Sequence, residues 1–125
     1  MNAQFSEILA RCQALAAQFA STADQHDRDG SFAHDNVRAL HEAEIYRLHV
    51  PREFGGMGFG LPAAVQVLRV IAQGDTSTAL GYAMHLHKTG QLAEQAPWSP
   101  DTLARMWREI IETGALINSV DSEPD

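Results

Sequence analysis

The run Leu61-Pro62-Ala63-Ala64-Val65-Gln66-Val67-Leu68-Arg69-Val70-Ile71-Ala72-Gln73-Gly74 is apolar nearly all round a helical wheel. Proline is tolerated in a first helical turn, and Gly74 stops the pattern. A helix with no polar face needs cover on every side. The run therefore predicts a central, buried helix, and the fold is read outward from it.

Downstream, Asp75-Thr76-Ser77 supplies side-chain oxygens suited to capping the next helix, which runs to about Gln95 through Leu80, Met84 and Leu92. Gly81 and Gly90 inside it each weaken a helix by up to about 1 kcal/mol relative to alanine, so close packing or a nearby ligand is expected there. After the loop Pro97-Trp98-Ser99-Pro100, Ser99 as N-cap and Pro100 open a fifth helix. Its stripe is Leu103, Met106, Trp107, Ile110 and Ile111, and Gly114 closes it.

Upstream, Phe5, Ile8, Leu9, Cys12, Leu15, Ala16 and Phe19 recur at steps of three and four, predicting a first helix over about residues 3–25. Cys12 on that stripe reads as a small buried hydrophobe. Asp27-Arg28-Asp29-Gly30 breaks the pattern. A second helix starts near Ser31 to His34 and turns Val37, Leu40 and Ala43 inward. Alternation replaces the helical period at Tyr46-Arg47-Leu48-His49-Val50 before Pro51. The loop that follows has four glycines in six positions, Gly55, Gly56, Gly58 and Gly60.

The expected fold is thus all-α, a bundle of about five helices. Ala115-Leu116-Ile117-Asn118-Ser119-Val120 has strand propensity with no second strand to pair with. It reads as an orphan strand that would begin a following β-barrel domain. The expected organisation is a helical domain over residues 1–114 and the start of a truncated middle β-domain over 115–125.

The 125 residues suit one domain able to bury a core without staples. Nine Lys+Arg against sixteen Asp+Glu give a formal charge of −7, with Lys88 as the sole lysine, which argues against nucleic acid as a partner. One cysteine excludes an internal disulfide and CxxC-type sites. The N-terminus lacks a basic leader pattern and no run of about 18 apolar residues occurs, so no membrane span and a cytoplasmic location are expected.

Chemistry-bearing patterns are few. His41-Glu42 begins like a zinc-protease motif, but Ile45 stands where the second histidine belongs. His85 and His87, two apart, point to different sides of a helix. No metal site is expected, and His26, His34, His41 and His49 read as solvated or hydrogen-bonded surface residues. The glycine loop fails the dinucleotide spacing, since the third glycine would fall on Leu61, and it lacks the Gly-Lys-Ser/Thr of a P-loop. It reads as a tight turn locked between helices. No Gly-x-Ser-x-Gly elbow occurs. Residue chemistry alone yields no catalytic residue.

Four stretches in order carry a resemblance. They are Asp29-Gly30-Ser31-Phe32 with Asn36-Val37-Arg38-Ala39-Leu40-His41-Glu42-Ala43; Val50-Pro51-Arg52-Glu53-Phe54-Gly55-Gly56-Met57-Gly58; Gly74-Asp75-Thr76-Ser77-Thr78-Ala79-Leu80; and Asp121-Ser122-Glu123-Pro124. Together they resemble the N-terminal helical domain of acyl-CoA dehydrogenase-like flavoproteins, a family that includes flavin monooxygenase relatives. The resemblance implies a longer parent, usually a homotetramer. It would bind flavin adenine dinucleotide (FAD) between the helical domain, a β-barrel and a C-terminal bundle that holds the catalytic base.

It further implies α,β-dehydrogenation of an acyl-CoA thioester by the parent, with this chain inactive alone. By position it makes Ser119, Asp121 and Ser122 cofactor-side candidates, although Asp121 stands where the family carries a small or apolar residue. It places Gly81, Met84 and His85 along the acyl cavity. A histidine is unusual in a plain fatty-acyl pocket, which leaves a flavin-dependent monooxygenase of the same fold as one alternative. A stand-alone helical interaction module is another.

Overall fold

Asn2 opens the first helix by accepting the Phe5 N–H on its side-chain oxygen at 2.7 Å. That helix, α1 (Ala3–Asp29), runs 27 residues, about 40 Å at 1.5 Å per residue. It ends on Gly30 in the left-handed conformation, φ 63°. The computed structural model describes residues 2–95 and 97–119. After α1 come α2 (His34–Glu42), α3 (Leu61–Gly74), α4 (Thr76–Gln95) and α5 (Pro100–Thr113). Two short 3-10 turns, Ile45–Arg47 and Arg52–Phe54, lie between α2 and α3. The five expected helices are present, and α1 runs four residues past its expected end because nothing before Gly30 stops it.

α3 is central, packed against α1 on one side and α4 on another. Its last residue meets the α1 backbone so closely that a Cβ on Gly74 would collide with the Ala16 carbonyl. The main core gathers Phe5, Ile8, Cys12, Phe19, Val67 and Ile71 with residues of the connecting turn. Cys12 is fully buried, and burial pushes its thiol up to about 11 against the pull of Arg11. A second, smaller cluster seats Trp107 and Ile110 of α5 on Val50 and Leu92.

Two expectations are corrected, the full cover of α3 and the surface position of His49. α3 is not covered all round: Leu61 and Val65 are exposed, because no described element packs over that side. On α4, Leu80 and Met84 also face outward, at 64% and 44% exposure, while Tyr82, His85, Leu86 and Thr89 are buried. His49 is buried, not a surface residue, with its Nδ1 2.7 Å from the Phe59 carbonyl. The strand expected at 115–120 is not shown. Residues 115–119 carry no regular element, and Val120 lies outside the described residues. A strand needs a ladder partner, and none stands beside this segment among the described residues.

The glycine-rich loop folds back on the residues before it. Met57, Gly58 and Phe59 donate their amides to the carbonyls of Arg47, Val50 and Leu48 at 3.0, 3.0 and 2.9 Å. A Cβ on Gly56 would collide with the Val50 backbone, which is why only glycine fits. The alternation at 46–50 therefore marks neither a strand nor a surface: Tyr46, Leu48, His49 and Val50 are all buried under this turn.

Candidate functional site

α4 is held at its start by a side-chain network. The Asp75 carboxylate accepts the Ser77 N–H at 3.1 Å and the Thr78 hydroxyl at 2.6 Å. Asn36 of α2, itself buried, donates to Asp75 at 3.3 Å and to Thr78 Oγ1 at 3.0 Å. Asp75, Thr76 and Ser77 were legible as capping residues, since their oxygens suit orphan amides. Asn36 was not, because its partners lie 39 and 42 residues away.

Beside this network a cleft of about 630 Å³ opens between the end of α1, the start of α2 and the α3–α4 turn. Its wall includes Asp24, Val37, Thr76, Gly81, Tyr82 and Leu116. A Cβ on Gly81 would meet nothing within 4 Å, so this glycine leaves open space instead of serving a close helix contact. A second groove of about 350 Å³ runs between α3 and α4, past Leu61, Val65, Leu68, Ala83 and His87.

The three α4 candidates do not share one cavity. Gly81 stands on the cleft wall, Met84 faces outward, and His85 is buried with both ring nitrogens engaged. His85 Nε2 lies 3.1 Å from the Tyr46 carbonyl, and Nδ1 accepts the Ile117 N–H at 3.1 Å. Burial pushes its imidazole below the ordinary histidine range. The Tyr46 carbonyl opposes that shift and nearby His49 adds to it. Tyr82, fully surrounded, donates its hydroxyl to the Ile45 carbonyl at 2.6 Å, and burial holds its phenol well above the usual range. Sequence reading passed over Tyr46 and Tyr82. The signal was there: a buried tyrosine needs a partner for its hydroxyl.

Of the cofactor-side candidates, Ser119 is half-buried and its N–H donates to Asn118 Oδ1 at 2.8 Å. Asp121 and Ser122 lie outside the described residues. The amides of Gly55, Gly56, Met57, Gly58 and Phe59 all end on carbonyls of this chain, so the turn has a structural role. Among the described residues, no group of three His, Cys, Asp or Glu side chains could hold a metal ion, and no helix is long and apolar enough to cross a membrane.

Comparison with known proteins fits this architecture. The family described as acyl-CoA dehydrogenase, N-terminal domain, matches residues 4–105. A putative acyl-CoA dehydrogenase of Bacillus subtilis (strain 168), YdbM, is 30% identical over 122 residues, covering 98% of this chain and 32% of the relative. A dibenzothiophene monooxygenase of Rhodococcus erythropolis is 29% identical over 122 residues, covering 98% of this chain and 29% of the relative. A probable FMNH2-dependent monooxygenase of Pseudomonas putida, SfnC, is 30% identical over 105 residues, 79% of this chain and 27% of the relative. The chain spans about a third or less of the length of these curated relatives. With most of its helical bundle inside the matched stretch, the chain belongs to the acyl-CoA dehydrogenase N-terminal domain family.

Proposed function

We propose that this chain is the N-terminal helical domain of a flavin-dependent oxidoreductase that acts on an acyl-CoA thioester. In this reading residues 1–114 form the helical domain and 115–125 begin a following β-domain. The outward face of α4 forms one wall of the substrate cavity. The observation that carries the reading is the exposure of apolar Leu80 and Met84 on α4, while Tyr82, His85, Leu86 and Thr89 of the same helix are buried. Exposed apolar side chains so close together on one helix suit a surface that another body covers.

Met84 and Gly81 stand on the substrate side in this reading, and His85 enters through the support it gives the helix. FAD is the cofactor we expect, reached from this chain through Ser119, Asp121 and Ser122 and held mainly by parts of the parent beyond residue 125. The catalytic base also lies there, so the chain by itself turns over no substrate. A homo-oligomeric parent follows from the same reading.

A second reading is favoured by the names of two relatives, a dibenzothiophene monooxygenase and a probable FMNH2-dependent monooxygenase. It makes the parent a flavin-dependent monooxygenase of the same fold. One assay on the full-length product separates the two. Dye-linked reduction by acyl-CoA thioesters without oxygen supports the dehydrogenase. Turnover of an aromatic thioether only with reduced flavin and oxygen overturns it in favour of the monooxygenase. Activity of the 125-residue chain alone would contradict both.

A further inference from the structure

Three rings stand in a row beneath the segment that leaves α5. His41 stacks on Tyr46 with 6.4 Å between ring centres, and Tyr46 lies 5.3 Å from the His85 ring. Gly114 sits so close over the first ring that a Cβ there would collide with His41. Three residues on, the Ile117 N–H ends on Nδ1 of the last ring, His85, at 3.1 Å. The chain leaving α5 therefore meets both ends of the row.

The two contacts of His85 select one state of its ring. The Tyr46 carbonyl only accepts, so Nε2 carries the hydrogen. The Ile117 amide only donates, so Nδ1 carries none. The other neutral tautomer would set N–H against N–H at Ile117 and a bare nitrogen against a carbonyl at Tyr46. An imidazolium would break the Ile117 contact alone. The titratable groups around it are Tyr46 and His49 from the α2–α3 connection and Tyr82 on α4, with Cys12 of α1 acting on Tyr82. None of these supplies a negative charge that would offset an imidazolium, and His49 opposes one.

We propose that His85 is a positioning residue, whose Nε2–H tautomer ties Tyr46 to Ile117 and so fixes the direction in which the chain leaves the helical domain toward Ser119. An apolar side chain of the same size would fill the volume but leave a buried amide and a buried carbonyl unpaired. The consequence for a cofactor-side segment rests on the function proposed above. The tether itself is a property of this chain, and its test needs no activity.

The test uses the 125-residue chain, labelled with 15N, and reads the His85 ring by long-range 15N–1H correlation. The expected ring is neutral, with Nε2 protonated and Nδ1 bare, at a pH of about 6.5, where a free imidazole is half charged. A protonated Nδ1 at that pH would overturn the proposal. Two variants separate the ends of the tether. His85→Asn keeps an acceptor near the Nδ1 position, and His85→Gln keeps a donor near the Nε2 position. Amide exchange at Ile117 should stay slow in His85→Asn and rise about tenfold in His85→Gln. Equal exchange in the two variants would contradict the tether. If neither variant folds, the ring spectrum of the unaltered chain decides by itself. A failed dehydrogenase assay on the parent would leave these results standing, and a failed tether would leave that assay standing.

Discussion

α1 and α4 both pack on α3, and they use their faces in different ways. α1 turns Phe5, Ile8, Cys12, Leu15 and Phe19 inward and leaves mostly polar residues outside. α4 buries Tyr82, His85 and Thr89 beside Ala79, Leu86 and Leu92, and exposes Leu80 and Met84. Each buried polar group on α4 has a partner: Tyr82 the Ile45 carbonyl, His85 both Tyr46 and Ile117, and Thr89 the His85 carbonyl at 2.8 Å. Satisfied in this way, polar groups can sit in a core without a large penalty. The apolar residues are then free to serve an outer surface. α1 is ordered by area buried, and α4 by area buried together with specific partners.

Mutations on the two helices should therefore differ in size and kind. The largest effect belongs to the α1 side. Phe19→Ala removes a fully buried ring and should cost about 4 kcal/mol in a denaturant melt. A loss below about 1 kcal/mol would show that the α1–α3 core is loosely packed. Next is Gly74→Ala, which must push the α3 end away from the Ala16 carbonyl and should cost about 3 kcal/mol. A neutral result would mean that the two helices part more easily than their contact implies.

On α4 the losses are smaller and chemical. Tyr82→Phe keeps the ring but removes one of the two hydrogen bonds to the buried Ile45 carbonyl, which still accepts the Leu48 N–H at 3.2 Å, for about 1 kcal/mol. The pH profile sharpens the same point. Burial holds the His85 pKa below its unfolded value of about 6.5. Its contribution is therefore fully present above that pH. As pH falls below it, the unfolded chain takes up a proton that the folded chain refuses, and stability declines until the folded pKa is reached. Melts of the native chain should weaken from pH 7 downward, and His85→Asn should flatten that part of the slope.

The two helices also show how far residues reveal structure. α1 and α3 were legible from period and stop residue, and α5 from period, cap and stop together: Ser99 accepts the Thr102 N–H at 3.3 Å, and Gly114 ends α5 with φ 69°. The inner face of α4 was not legible, because hydropathy cannot see that Tyr82 and His85 find carbonyls 37 and 39 residues away. The glycine turn was read correctly as structural. Its actual reason, the backbone meeting of Gly56 and Val50, is tertiary. The candidate site followed the same pattern. Gly81, Met84 and His85 were named from resemblance: the first two stand near open space, and His85 is buried with both ring nitrogens engaged.

The most direct test of the central claim, that the outer face of α4 serves function and its inner face serves the fold, is the double variant Leu80→Ser/Met84→Ser measured twice. In the 125-residue chain, substitutions at these exposed positions should shift stability by no more than about 0.5 kcal/mol each. In the longer parent proposed above the same pair should lower kcat/KM about tenfold or more, the equivalent of about 1.4 kcal/mol of transition-state stabilisation. A collapsed melt with the chain alone, or unchanged turnover in the parent, would contradict the account.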